Sequence, residues 1–136
     1  MGTVSAVDQL LERARSRLHR VDAHEAARLF DGGGLLIDIR PAAQRAEFGE
    51  IPAALVVERN NLEWRLDPGG SHRLVEAEDP GRPVVVICQE GYASSLAAAS
   101  LLDLGRTAVS DLDGGFAAWK RAGYPTTPGS GTGARP

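Results

Sequence analysis

The only cysteine of the chain, Cys88, lies where the apolar run VVVIC ends and a glycine-containing loop begins. A helix is predicted to start near Ser94, so loop amides and the positive end of that helix would surround the thiol. Both features stabilise a thiolate, the form in which cysteine acts as a nucleophile. Gly91 gives the loop the backbone freedom to turn its N–H groups inward. The spacing therefore predicts a reactive Cys88, and the alternative is a structural cysteine that packs as a small hydrophobic residue.

The residue types around Cys88 indicate which of the reactions known for such loops are possible here. Phosphate-cleaving enzymes with the C-x5-R pattern need an arginine six residues after the cysteine to clamp the phosphoryl oxygens. Ser94 occupies that position, which argues against a phosphatase or an arsenate reductase of that design. No histidine is placed for protease-like Cys/His catalysis. Chemistry on sulfur remains: Cys88 would attack a sulfane sulfur, and Ser94, Ser95 and the loop amides would hold the resulting persulfide.

The composition limits the class of protein and its partners. The 136 residues are 43% hydrophobic, enough for one core, and the formal net charge is −3. No Lys/Arg cluster alternates with aromatic residues, which argues against nucleic acid and against an anionic membrane as partners. Small molecules or proteins are expected instead. One cysteine cannot form an internal disulfide, and no leader or membrane span is evident, so we expect a cytoplasmic location. The scattered His19, His24 and His72 lack the spacing of metal ligands, so neither a metal nor another cofactor is expected.

Hydrophobic periodicity predicts helices that alternate with strands. A helix is predicted within 5–18 after the cap Ser5, and another begins at Asp22, where Glu25 completes a capping box. The other predicted elements are a short strand at 19–21, strands at 35–39, 54–58, 84–88 and 108–112, a short helix after Pro41, a helical turn at 60–64, and helices at 94–105 and 114–123. Short links between them indicate parallel strands, and ligands of such sheets bind at the carboxyl ends of the strands, where Cys88 lies. The predicted fold is α/β, with a central, mostly parallel five-stranded sheet and helices on both faces.

The ends of the chain are predicted to differ from its centre. Residues 1–20 form a helical extension that packs on the edge of the domain, through a stripe of apolar side chains: Val7, Leu10, Leu11, Ala14 and Leu18. Residues 126–136 have the biased composition TTPGSGTGARP, which buries too little apolar area to order itself, so a disordered tail is predicted.

Four segments in order resemble the single-domain rhodanese family: LLIDIRP, AEFGEIPAA, CQEGYASS and DLDGGFAAWKRAGYP. The resemblance implies a rhodanese domain over 21–125, in which Cys88 bears a persulfide. The loop that would bind the substrate and cradle this sulfur comprises Gln89, Glu90, Gly91, Tyr92, Ala93 and Ser94. Asp38 and Arg40 would be buried polar partners near the loop, with Arg40 paired to Glu47.

The function implied by the resemblance is sulfur transfer in two steps. Sulfane sulfur from thiosulfate or from a persulfide or mercapto compound passes to Cys88, and then to a thiol, to cyanide or to a protein acceptor. An intact cysteine and glycine in the loop favour this enzyme. The alternative is a non-catalytic module that binds a partner or senses sulfane sulfur, which Glu90 and the lack of loop cations favour.

Several positions depart from the family pattern or carry separate expectations. Thiosulfate-efficient members often have Arg or Lys in the loop, where this chain has Gln89 and Glu90, and Glu50 and Ala53 replace the usual His and Gly of the second segment. An acid in the cradle disfavours a dianionic donor.

Other polar and aromatic positions carry expectations that follow from their place along the chain. Arg59 follows the 54–58 strand at the same sheet edge as Cys88, so it could reach a substrate anion or lie solvated at the surface. Asp38, on an apolar strand, is expected to accept hydrogen bonds from the N–H groups of the thiol loop. Trp64 and Trp119 are expected to pack in the core or at its rim.

Overall fold

The computed structural model describes residues 4–131. The helices are α1 (Ala6–Ser16), α2 (Ala23–Asp31), α3 (Ala42–Phe48), α4 (Leu62–Leu66), α5 (Ala93–Asp103) and α6 (Gly115–Arg121), and 3₁₀ turns lie at Arg59–Asn61 and Val75–Ala77. The strands are β1 (Leu35–Asp38), β2 (Leu55–Val56), β3 (Val84–Ile87) and β4 (Val109–Asp111). None of the helices within 4–131 has the length and apolar character needed to cross a bilayer.

The predicted caps start the first two helices. The Ser5 hydroxyl accepts from the Asp8 N–H at 3.2 Å, and the Asp22 carboxylate accepts from the Glu25 N–H at 2.8 Å. Each contact satisfies one of the backbone donors that a helix N-terminus leaves free.

The sheet has the order β2-β1-β3-β4, and all its strand pairs are parallel. The expected α/β fold with helices on both faces is confirmed, but the described residues form four strands instead of five. The predicted strand at 19–21 is reduced to one bridge between Val21 and Leu112. It stops there because Asp22 already caps α2. In register, Asp38 lies beside Ile87, so β1 and β3 end together, at the same sheet edge as Cys88.

Each face of the sheet has its own apolar core. On one face, α4 and α5 cover alternate strand residues such as Ile37 and Val86. On the other, α2 and α6 cover Leu36 and Val85. Trp119 is buried there and stacks on Tyr124 with ring centroids 4.9 Å apart, as expected. The same expectation is wrong for Trp64, which is 63% exposed because α4 buries its opposite face.

The N-terminal extension packs against α5 but buries little apolar surface. Of the predicted stripe on α1, Ala14 is buried, whereas Val7 and Leu10 are exposed. The extension is held instead by polar contacts from the last turn of α1 and from the residue after it. One of these contacts is the ion pair between Arg17 and Asp103 at 2.6 Å. Residues 1–3 of the predicted extension lie outside the described residues.

A buried arginine organises the long crossover between β2 and β3. The Arg106 guanidinium is almost fully buried and donates to the carbonyls of Leu66, Ala77 and Asp79 at 3.2, 2.8 and 3.1 Å. Burial lowers the pKa of Arg106, and the charge of Asp79 only partly opposes this shift. No carboxylate within the described residues forms an ion pair with the guanidinium. Backbone carbonyls therefore take the place of a counter-ion.

The beginning of the predicted disordered tail is bound to the domain. Thr127 and Glu50 exchange two backbone hydrogen bonds of 2.8 and 2.9 Å in an antiparallel bridge. Residues 126–131 therefore lie against the end of α3 instead of being free. The remaining part of the predicted tail, 132–136, lies outside the described residues.

Candidate functional site

Cys88 directly follows β3, and its sulfur is held by two backbone amides. The N–H groups of Gly91 and Ser94 donate to Sγ at 3.1 and 3.3 Å, and the residue is 6% exposed. Gly91 has φ +91°, and a Cβ there would lie 2.7 Å from the backbone nitrogen of Gly114. Only glycine therefore fits this turn, which forms a small nest of donors of the kind that stabilises an anion.

The other loop residues divide between contact with the domain and exposure. The Gln89 side-chain carbonyl accepts from Arg40 Nη1 at 3.0 Å. Glu90 and Tyr92 are exposed, as is Ala93, where α5 begins. The loop thus presents the amides of Gly91 and Ser94 inward to the sulfur and the side chains of Glu90, Tyr92 and Ala93 outward to solvent.

Asp38 and Arg40 form a buried ion pair beside the loop. The Asp38 carboxylate accepts from Arg40 Nε at 3.0 Å and from Nη2 at 2.8 Å, and it also accepts from the Arg40 backbone N–H. Two sequence expectations are wrong here: Asp38 accepts from Arg40 instead of the loop amides, and Arg40 pairs with Asp38 instead of Glu47. The turn after β1 folds the Arg40 guanidinium back onto the Asp38 carboxylate, only two residues away. The two side chains therefore bind each other, and not the loop amides or Glu47.

The structure does not bring Arg59 to the loop. Its Nη1 donates to both carboxylate oxygens of Glu63 at 2.9 Å, and its side chain is 43% exposed. Arg59 begins the 3₁₀ turn that leads into α4, so the i,i+4 partner lies along the same helical face. Of the two options open for Arg59, the surface position is the observed one.

Asp111 is a buried residue of the site, next to the loop, that the sequence analysis did not predict. This carboxylate at the end of β4 is fully buried and accepts from the hydroxyls of Ser94 and Ser95, each at 2.8 Å. It also accepts from Arg20 Nε and Nη2 at 3.0 and 3.1 Å. A signal was available, because an acid on the apolar segment AVSDL requires buried partners.

Two arginines from outside the loop complete its surroundings. Nη2 of Arg15 and Nη2 of Arg20 both donate to the Gly91 carbonyl at 2.8 Å. Partial burial lowers the pKa of Arg20, but hydrogen bonding to Asp111 and the negative charges of Asp111, Asp113 and Cys88 together raise it above its usual value. The guanidinium is therefore held as a fixed cation. Local sequence patterns could not predict these contacts, because they join residues more than 70 positions apart.

A cavity of about 520 Å³ opens beside the loop, between α3 and α6. Its walls combine aromatic, amide and charged side chains: Gln44, Phe48, Gln89, Glu90, Phe116, Ala117, Lys120 and Arg121. Glu90 shares this lining with two cations, Lys120 and Arg121, and neither cation forms an ion pair within the described residues. Across residues 4–131, no three His, Cys, Asp or Glu side chains are grouped as a metal site would require.

The family match and the related sequences agree on one protein family. Residues 22–122 match the model of the family described as "Rhodanese-like domain". The thiosulfate sulfurtransferase GlpE of Pseudomonas fluorescens Pf0-1 is 31% identical over 117 residues, 86% of this chain and 97% of that protein. Its counterpart in strain SBW25 is 34% identical over 116 residues, 85% and 96% of the two chains.

Solved structures give the same fold. A protein of unknown function from Rhodopseudomonas palustris, described as a "possible tyrosine phosphatase", superposes with a TM-score of 0.80 at 26% identity, over 93% of this chain and 97% of that one. A polysulfide-sulfur transferase homodimer from Wolinella succinogenes gives a TM-score of 0.70 at 24% identity, covering 88% and 85% of the two chains. At that identity the second likeness speaks to the fold alone.

Proposed function

Because the chain belongs to the family of rhodanese-like domains, we propose that it is a sulfurtransferase that carries sulfane sulfur on Cys88 as a persulfide. The observation that supports this most directly is the pair of amide donors, from Gly91 and Ser94, on the Cys88 sulfur. Donors in this position stabilise a thiolate before the reaction and a terminal persulfide anion after it. The relatives named as thiosulfate sulfurtransferases support the same chemistry.

The proposed reaction has two displacements at sulfur. With thiosulfate as donor, the Cys88 thiolate attacks the sulfane sulfur, the S–S bond to the sulfonate group breaks, and sulfite leaves with the electron pair. The enzyme now holds Cys88–S–S⁻. An acceptor thiolate or cyanide then attacks the outer sulfur, and the bond from that sulfur to Sγ breaks. The product, a persulfide of the acceptor or thiocyanate, leaves, and Cys88 is again a thiolate. Neither leaving group needs a general acid, because sulfite and the Cys88 thiolate both leave as stable anions.

Phosphatase chemistry fits this loop poorly, although one structural neighbour carries that description. The position at which a C-x5-R enzyme places its phosphate-clamping arginine is Ser94. Its hydroxyl is buried and donates to Asp111, so the site has a carboxylate where such an enzyme needs a guanidinium.

The proposed partners are small sulfur compounds, and a protein acceptor is also compatible with the exposed loop. Gln89 and Glu90 line the neighbouring cavity, so a donor or acceptor seated there would touch the loop. Lys120 and Arg121 give that cavity anion-binding groups. Because the nucleophile is a free thiol, we propose that the protein works in a reducing compartment such as the cytoplasm.

The direct test is the intact mass of the protein after incubation with thiosulfate, a small organic persulfide or polysulfide. We expect one added sulfur atom, located on Cys88, and its loss when a thiol or cyanide is added. This outcome separates the enzyme from a sensing or binding module, which would take up sulfur without passing it on. Protein that gains no sulfur from any of the three donors would contradict the proposal.

Replacing Glu90 with lysine is expected to improve the use of thiosulfate. A carboxylate about 6 Å from a dianion is repelled by roughly 0.7 kcal/mol for each unit-charge pair at water-like screening. The substitution changes the product of charges by about four units, so the KM for thiosulfate should fall at least about tenfold at low salt, and by less as salt is added. Kinetics at two ionic strengths measure this, with an uncharged persulfide donor as the control.

Glu90→Gln provides the matched intermediate, because it removes one charge while keeping the shape of the side chain. Its KM for thiosulfate should lie between those of the wild type and Glu90→Lys. If all three proteins have the same KM, the charge at this position does not select the donor.

A further inference from the structure

We propose that Arg20 is a positioning residue of the active site, since it holds in place both amide groups that bind the Cys88 sulfur, with Arg15 assisting at one of them. The inference rests on the proposed function of Cys88. It also places part of the active site outside the family-matched segment, which begins at residue 22.

The first route from Arg20 to the sulfur runs through Gly91. The N–H of Gly91 donates to Sγ at 3.1 Å, while its carbonyl accepts from Arg20 and Arg15 at 2.8 Å each. A glycine at φ +91° has no side chain to restrict its rotation, so the peptide on either side is free to turn. The carbonyl belongs to the 91–92 peptide and the N–H to the 90–91 peptide. Two guanidinium groups on the carbonyl anchor the side of Gly91 that leads into α5, and this limits the rotation of the adjoining peptide, whose N–H binds the sulfur.

The second route runs through Asp111 and Ser94. The Ser94 N–H donates to Sγ at 3.3 Å, and the Ser94 hydroxyl donates to Asp111 at 2.8 Å. Arg20 binds both oxygens of the same carboxylate, at 3.0 and 3.1 Å. A planar guanidinium that binds two oxygens fixes the orientation of the carboxylate, and a lysine cannot reproduce this geometry. Arg20 is therefore the common support of the two amide donors.

The charges around the sulfur make Arg20 important for electrostatics as well. The charged groups near the loop include Arg15 on α1, Arg20, and Glu90 in the loop itself. They also include Asp111 in β4, Asp113 just after it, the Asp38–Arg40 pair at the end of β1, and Lys120 and Arg121 on α6, which line the cavity beside the loop. The Asp38–Arg40 pair is neutral overall, and the loop supplies no cation. Lys120 and Arg121 share their cavity with Glu90, whereas Arg15 and Arg20 contact the backbone of the loop at the Gly91 carbonyl. Arg15 and Arg20 thus provide positive charge at the loop backbone, where it opposes the negative charge on a thiolate or persulfide.

The experiment compares Arg20→Gln with Arg20→Lys and with a control, Arg17→Gln, which breaks an exposed ion pair at the far end of α5. The readouts are the rate of Cys88 alkylation by iodoacetamide against pH, and kcat for sulfur transfer. Arg20→Gln should raise the midpoint pH of alkylation by about half a unit or more and lower kcat at least about tenfold. Arg20→Lys should keep the midpoint near that of the wild type but still lower kcat, because it keeps the charge and loses the two-oxygen contact. Arg17→Gln should leave both readouts unchanged.

A double variant guards against misfolding. Arg20→Gln alone leaves Asp111 buried without its cation, whereas Arg20→Gln with Asp111→Asn removes both charges of the pair. The double variant should fold by circular dichroism and still lose at least about tenfold in kcat, since the Gly91 carbonyl loses one of its two donors. The proposal is overturned if either Arg20→Gln or the double variant keeps kcat within twofold of wild type. The alkylation measurement needs no sulfur donor, so it still tests the role of Arg20 if the wild type proves not to transfer sulfur.

Discussion

Cys88→Ser is expected to abolish sulfur transfer while the free energy of unfolding stays within about 1.5 kcal/mol of the wild type. Activity is lost because a serine hydroxyl does not ionise at neutral pH and forms no persulfide. Stability is kept although the position is buried, because a hydroxyl oxygen can accept from the same two amides, those of Gly91 and Ser94. Turnover with thiosulfate and cyanide measures the first effect, and urea denaturation measures the second.

Cys88→Ala is the matched control for the stability part of this prediction. Alanine accepts no hydrogen bond, so the amides of Gly91 and Ser94 would be left without a partner in a nearly closed site. Each unsatisfied buried donor costs about 1–3 kcal/mol. Cys88→Ala should therefore be clearly less stable than Cys88→Ser. Equal stabilities would mean that the amide contacts with the sulfur are not formed in solution, and residual turnover in either variant would rule out Cys88 as the nucleophile.

Asp38→Asn is expected to destabilise the fold by about 3–5 kcal/mol. The substitution leaves the Arg40 guanidinium buried without its counter-ion, and both side chains of this pair are almost completely enclosed. A loss of this size is a large part of the stability of an ordinary domain. The midpoint of urea denaturation, compared at constant m-value, measures it.

Two further variants separate the cost of a broken buried pair from a general effect of removing charge. Asp38→Asn combined with Arg40→Gln removes both charges and should recover part of the lost stability. Glu63→Gln breaks the more exposed pair with Arg59 and should cost about 1 kcal/mol or less. The explanation would be wrong if Asp38→Asn cost no more than Glu63→Gln.

Local sequence patterns predicted the elements of the fold and the position of the thiol. The caps at Ser5 and Asp22 mark the starts of α1 and α2, and the apolar run before Cys88 forms β3. These features depend on contacts between residues close in the chain, or on burial of a continuous apolar run. The placement of Cys88 at the carboxyl end of a parallel strand follows from them.

The partners of the charged side chains could not be predicted in the same way. The family resemblance implied a pair between Arg40 and Glu47, but the turn after β1 gives Arg40 the carboxylate of Asp38 instead. Arg20 reaches Asp111, 91 residues away, because the parallel bridge between Val21 and Leu112 holds the link after α1 beside β4. Such pairs are decided by side-chain geometry at a closed interface. A carboxylate on an apolar strand does reveal that a partner exists, without revealing which one.

Arg106 ties the order of protein synthesis to the order of folding. The carbonyls of Leu66, Ala77 and Asp79 leave the ribosome well before the guanidinium that binds them. Until α5 has been made and packed, these groups have only water as a partner, so the segment from α4 to β3 has little reason to settle against the sheet. The nascent N-terminal half should therefore remain sensitive to proteases within the crossover. Protection should appear only when the chain has grown past Arg106, with enough further length to clear the exit tunnel.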